Sequence, residues 1–216
     1  MLRTFGVVTA LQILALTPVW ACTGQVGNVI FQDSFGDDTG GWDERPPWAT
    51  VKPPNFVFAM DAQNSFTNVL NLTFNATDGD YCMDVILPPP IAANNQMYAG
   101  ISFWATPDSN SSMMGVLPVS NGAVTLNKLT AGTWNTIFTI PNAPGFNSTA
   151  NATNSLRVTA LSGTITVYLN GTVVKTVRAQ EPPSTNAFFG MTGQVDTAVA
   201  NAPLIQVKGY SVTAGK

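Results

Sequence analysis

From Val29 to Thr213 short apolar runs alternate with clusters of Gly, Pro, Asn, Asp and Ser, and no run repeats at the 3.6-residue period of a helix. The pattern predicts an all-β chain. Strands are expected at Val29–Phe35, Phe56–Ala59, Asn68–Asn75, Tyr81–Leu87, Gln96–Ala105, Met113–Pro118 and Val124–Lys128. Further strands are expected at Trp134–Ile140, Ser155–Leu161, Thr164–Leu169, Thr172–Arg178, Ala187–Thr192 and Leu204–Thr213. That many strands exceed a small immunoglobulin-type sandwich, and no linker divides them, so residues 22–216 read as one two-sheet antiparallel β-sandwich of jelly-roll type. The sharpest local signal is Thr164–Arg178, where alternating apolar positions flank Asn170-Gly171, the pair that a two-residue type I′ hairpin turn requires.

The alternation also sorts faces. In Gln96–Thr106, Met97, Ala99, Ile101, Phe103 and Ala105 are expected to face the core, leaving Tyr98, Gly100, Ser102, Trp104 and Thr106 on the opposite face. A polar face carrying two large aromatics with hydrogen-bonding tips suits a shallow ligand platform. The competing position for Trp104 is beneath a covering loop. In Asn68–Asn75 the expected core set is Leu70, Leu72 and Phe74, which turns Asn71 and Thr73 outward. Trp42 and Trp48 flank the rigid stretch Asp43-Glu-Arg-Pro-Pro47, where an exposed indole could stack on a sugar ring and pinning the loop is the competing role. Trp134 leads an alternation with Thr136, Phe138 and Ile140 and is expected in the core.

Residues 1–21 have a different pattern: Arg3, an apolar run from about Phe5 to Leu16, then Pro18 and Val19-Trp-Ala21. This is the plan of a secretory signal peptide, and the run is too short to span a bilayer. Cleavage after Ala21 leaves Cys22 at the new N-terminus. Three fates compete for it: a disulfide with Cys82, lipidation of a degenerate lipoprotein signal, or two free thiols.

Composition narrows the chemistry. The 216 residues include no histidine, which removes Ser-His-Asp and Cys-His catalysis and His-ligated zinc. Lys and Arg number 9 against 12 Asp and Glu, and the basic residues are scattered singly, so nucleic acid is not an expected partner.

Val29-Ile-Phe-Gln-Asp-Ser-Phe35 followed by Gly41-Trp42 resembles the opening of concanavalin A-like (laminin-G/glucanase-type) β-sandwich domains. Asn154-Ser-Leu-Arg-Val-Thr159, Ile165-Thr-Val-Tyr-Leu-Asn-Gly171 and Phe189-Gly-Met191 resemble the late strands of the same superfamily, and within it the bacterial 3-keto-disaccharide hydrolase-like domains. The resemblance implies two curved sheets with carbohydrate on the concave face, and a Trp42 that packs inward while Trp48 is left open. Glucanases of the superfamily carry a Glu-x-Asp-x-(x)-Glu strand whose carboxylates act as nucleophile and acid. This chain has only Glu44 and Glu181, both beside prolines, and the motif is absent.

Among the aspartates, Asp84 is the best placed for chemistry, on the face opposite Tyr81, Met83 and Val85. Asp78 and Asp80, in Asp-Gly-Asp, are weak candidates for a calcium ion that relatives bind at a loop rim; turn-building is the competing role. Sequons at Asn71, Asn75, Asn110, Asn147, Asn151 and Asn170 would make a eukaryotic product a glycoprotein, with Asn170 in a turn that tolerates a glycan. The expectation is a secreted or cell-surface, non-catalytic carbohydrate-binding sandwich with Tyr98, Trp104, Ser102, Asn71, Asp84 and Trp48 as ligand residues. The alternatives are a structural or adhesive surface protein and a hydrolase of a modified disaccharide.

Overall fold

The computed structural model describes residues 22–215, apart from 23, 62–63, 91, 93–94, 108–111, 184–185 and 198–201. The expected leader at 1–21 lies outside the described residues. Every expected strand forms, usually within a residue or two of its anticipated ends, together with one short strand that the alternation does not announce. In chain order they are β1 (Val29–Asp33), β2 (Ala49–Lys52), β3 (Asn55–Phe58), β4 (Phe66–Asn71), β5 (Gly79–Ile86), β6 (Met97–Ala105) and β7 (Ser112–Pro118). They continue with β8 (Val124–Thr130), β9 (Thr133–Ile140), β10 (Thr153–Leu161), β11 (Thr164–Leu169), β12 (Thr172–Val177), β13 (Phe188–Val195) and β14 (Ile205–Ala214). The unannounced strand is β2, four residues with a single fully buried side chain, Ala49. So short and half-exposed a segment carries no alternation to read.

The strands form two antiparallel sheets. One has eight strands in the order β12-β11-β10-β5-β14-β3-β2, with β1 also pairing with β14; the other has six, in the order β4-β13-β6-β7-β8-β9. Between them lies a core of fully buried side chains that includes Phe56, Phe58, Tyr81, Met83, Ile101, Phe103, Phe189 and Tyr210. The β11–β12 hairpin turns at Asn170 and Gly171, with φ of 48° and 79°, the left-handed pair of a type I′ turn.

The N-terminal segment is fastened to the outside of the eight-stranded sheet. Cys22 and Cys82 form a disulfide across 60 residues, which settles the three-way choice for these thiols. Beside it, Asp80 on β5 and Arg157 on β10 make a two-point ion pair, Nε to Oδ1 and Nη2 to Oδ2, both 2.8 Å. The Arg157 guanidinium also lies 4.9 Å from the centre of the Tyr168 ring. Asp80 is thus engaged by Arg157, and Asp78 Oδ1 accepts the Ser162 backbone N–H at 2.7 Å. Among the described residues no three His, Cys, Asp or Glu side chains cluster as metal ligands.

The polar turn before β10 is held by side-chain amides. Asn154 accepts the Asn147 N–H at 2.8 Å, and Asn170 donates to both Gly145 O and Asn154 Oδ1 while accepting the Ser155 N–H. The Asn170 amide is thus fully engaged, contrary to the expectation that a glycan would sit there without conflict.

Candidate functional site

The six-stranded sheet is strongly curled. Laid flat, its edge strands β4 and β9 would be five spacings apart, roughly 24 Å. Yet Phe66 on β4 and Trp134 on β9 have ring centroids 6.1 Å apart, closer than two side chains can bring strands at that separation. The sheet therefore curves toward its outer face, and the two rings meet across the hollow. Trp134 reaches inward over β7, where a Cβ placed on Gly115 would lie 3.8 Å from its ring.

The result is an open trough of about 570 Å³, within the range of small-ligand sites. Its aromatic wall is Phe66, Trp134 and Trp48, and its floor is Met113 and Leu129. Met113 and Leu129 belong to a small apolar cluster with Leu70, Ala105 and Phe188, separate from the main core. The polar lining comes from Arg45, Asn64, Thr67 and Asn68. Trp48 is fixed by donating its indole N–H to Asp61 Oδ2 at 2.8 Å, and the same carboxylate takes the Asn64 N–H at 2.9 Å. Arg45 is ion-paired with Asp43 at the rim. Asn68 Oδ1 accepts from Ser102 Oγ at 2.8 Å and Thr192 Oγ1 at 2.9 Å, forming a polar knot on the sheet surface.

The residues expected to bind ligand fall in several different places. Trp48 lines the trough. Tyr98 lies on the same outer face, half-buried, and its hydroxyl pairs with Asp196; burial first, then that carboxylate, raises its pKa. Ser102 is on this face but fully covered within the polar knot. Trp104 is a correction. It is 2% exposed and packs in the main core beside Phe103, with its indole N–H donated to Thr77 O at 2.7 Å.

The cause is a break in the two-residue period. Trp104 takes φ of 53°, and the β13–β6 register slips between Phe188 and Gly190. Phe103 and Trp104 thereby share the core side, and Ala105, expected inside, emerges on the trough side. Asn71 is a second correction: it is fully buried, donating to Gly40 O and accepting from the Thr73 and Phe74 N–H groups. Leu72 and Phe74, expected in the core, are exposed beyond the end of β4.

Asp84 lies opposite Tyr81, Met83 and Val85 as expected, but on the other sheet, apart from the trough. It sits on the outer face of β5, bonded to Ser155 and lining a dimple of only about 80 Å³ with Asp33 and Lys208. Asp33 there already accepts Phe35 N–H and Trp42 Nε1–H, both at 2.7 Å. Burial raises the Asp84 pKa, against smaller lowering effects from the Ser155 hydroxyl and Lys208. The folded chain then holds this proton more tightly than the unfolded one, so stability falls as pH climbs from about 3.9 through the raised value. Asp84→Asn is accordingly expected to melt above the parent at pH 7 and together with it at pH 3. Equal melting temperatures at pH 7 would contradict this.

Trp134, Phe66 and Asn68 were not marked by the alternation. Trp134, expected in the core, is 39% exposed. A register shift opposite Leu126/Asn127 puts Trp134 and Thr136 on the trough side, while Phe138 and Ile140 pack against the core.

No family model and no curated protein matches the sequence. Solved structures do match over most of the chain. A β-glucanase of Bacillus licheniformis superposes with a TM-score of 0.63 at 12% identity, covering 88% of this chain and 99% of that one. The catalytic domain of a laminarinase from Thermotoga maritima gives 0.62 at 8% identity, with 86% and 97% covered. A carbohydrate-binding module from Bacillus subtilis gives 0.52 at 12% identity, with 82% and 99% covered. The fold is a concanavalin A-like β-sandwich.

Proposed function

We propose that this chain is an exported, non-catalytic carbohydrate-binding protein whose ligand lies in the trough of the six-stranded sheet. The observation that carries the reading is the aromatic wall of Trp134, Phe66 and Trp48 beside amide and hydroxyl side chains, a combination that stacks on pyranose C–H faces and bonds their hydroxyls. The fold's occurrence in a carbohydrate-binding module and in glucanases supports a glycan ligand. The disulfide supports export to an oxidising compartment. Non-catalytic binding is supported by the strands themselves: none of the six contains an Asp or Glu, whereas glycoside hydrolysis calls for two carboxylates about 5–9.5 Å apart.

Affinity electrophoresis against soluble polysaccharides, followed by glycan-array binding, tests the reading. Retardation by at least one glycan without release of reducing ends is expected. Trp134→Ala should weaken that binding about tenfold or more, the effect of losing a central aromatic anchor, with little change in melting temperature because the ring is partly exposed. Reducing ends that appear with the parent protein and vanish with Asp84→Asn would establish the hydrolase instead.

A self-associating structural role is the second reading, favoured by β9. This edge strand is largely exposed and has no charged residue. Oligomers in light scattering together with no glycan binding would support it.

A further inference from the structure

We propose that the trough takes the end of a saccharide chain rather than a segment from its middle, because Phe66 and Trp134 close it on the side facing the rest of the sheet; this rests on the carbohydrate-binding reading above. The first observation is what the pair covers. Ser102 on β6 and Thr192 on β13 point to the outer face, where an open cleft would leave their hydroxyls wet, yet they are 0% and 1% exposed. They contact each other at 2.6 Å and share the Asn68 side-chain amide. Gly115, opposite Ser102 on β7, lies under Trp134, with 3.8 Å between the indole and the place of a Cβ. That is van der Waals contact. The edge-on contact of Trp134 with Phe66 then spans the hollow from β9 to β4, so a pyranose can pass neither under the indole nor between the two rings.

The second observation is where the trough stops. Met113, Leu129 and Gly132, on the near side of the pair, line it. Tyr98 and Gln194 lie on the same outer face beyond Gly100 and Thr192, and they do not. A volume of about 570 Å³ suits a small-ligand site rather than a groove running the length of the sheet. A chain that enters from the near side therefore meets the aromatic pair and ends there.

Three soluble linear polysaccharides, mixed-linkage β-glucan, glucomannan and pullulan, test this on the full chain. Each is compared at equal mass before and after partial acid hydrolysis, with bound protein counted by analytical ultracentrifugation. Hydrolysis multiplies chain ends without adding sugar. For at least one of the three, doubling the chains per gram is expected to double the protein bound per gram, at one molecule per chain. Phe66→Ala removes half of the barrier at a position 37% exposed, which keeps the fold, and should seat more than one molecule on each uncut chain. Bound protein that stays constant on hydrolysis, with several molecules of the parent on every uncut chain, would overturn this inference and leave the carbohydrate-binding reading standing. One molecule per uncut chain in the variant as well would overturn the aromatic pair as the cause. No binding to any of the three, cut or uncut, would overturn both readings.

Discussion

Replacing Trp104 by Ala should lower the melting temperature by about 6–20 °C. A fully buried Trp truncated to Ala costs about 3–5 kcal/mol through lost transfer energy and the cavity left behind, and each kcal/mol is worth about 2–4 °C in a chain of this size. The indole fills the core next to Phe103 and supplies the N–H that satisfies Thr77 O, so the variant also strands a carbonyl. Trp104→Phe restores most of the packing and should recover the larger part of the loss. If Trp104 stood on an open binding face, the melting temperature would hold and glycan affinity would go. Thermal melts and urea titrations of the two variants decide between these outcomes.

Arg157→Ala should cost a similar amount by a different route. Asp80 is 3% exposed and Arg157 15%, so removing the guanidinium leaves a carboxylate buried without its partner, a loss of about 3–5 kcal/mol. Because the pair is shielded, the effect should persist in 0.5 M NaCl, where exposed ion pairs are screened away. The double variant Asp80→Ala/Arg157→Ala should be destabilised by less than the sum of the two single variants, since it leaves no orphaned charge. Strict additivity would show that the pair contributes no coupling. The Asp80 carboxylate that Arg157 orients also tethers the N-terminal segment, its Oδ2 accepting the Val26 N–H at 3.4 Å. Arg157→Ala should therefore speed proteolysis near residue 25.

The fold was legible because strand alternation, Gly-Asn-Pro punctuation and the Asn170-Gly171 turn all point the same way. The site was less so, and the misplacements share a cause. Alternation assigns faces only while the period stays at two, and a β-bulge inserts a residue that inverts every face beyond it. One irregularity in β6 carries Trp104 into the core, and another opposite β8 carries Trp134 out of it. Neither is flanked by a residue that announces it; Trp104 itself adopts the left-handed backbone more common for Gly or Asn.

The burial of Asn71 and the separation of Asp84 from the trough were not legible for a further reason. Which loop covers a strand end, and which sheet a strand joins, are set by pairings distant in sequence that a local period does not encode. Phe66 and Trp134, more than sixty residues apart, form one wall only because the sheet curls.

The distribution of indoles gives the protein a built-in optical probe. Trp42 and Trp104 are sealed inside, whereas Trp48 and Trp134 border the trough. In a chain without residues 1–21, acrylamide should therefore quench only the emission from the latter two, and a bound ligand should protect them. Occupancy can then be followed by fluorescence on unlabelled protein.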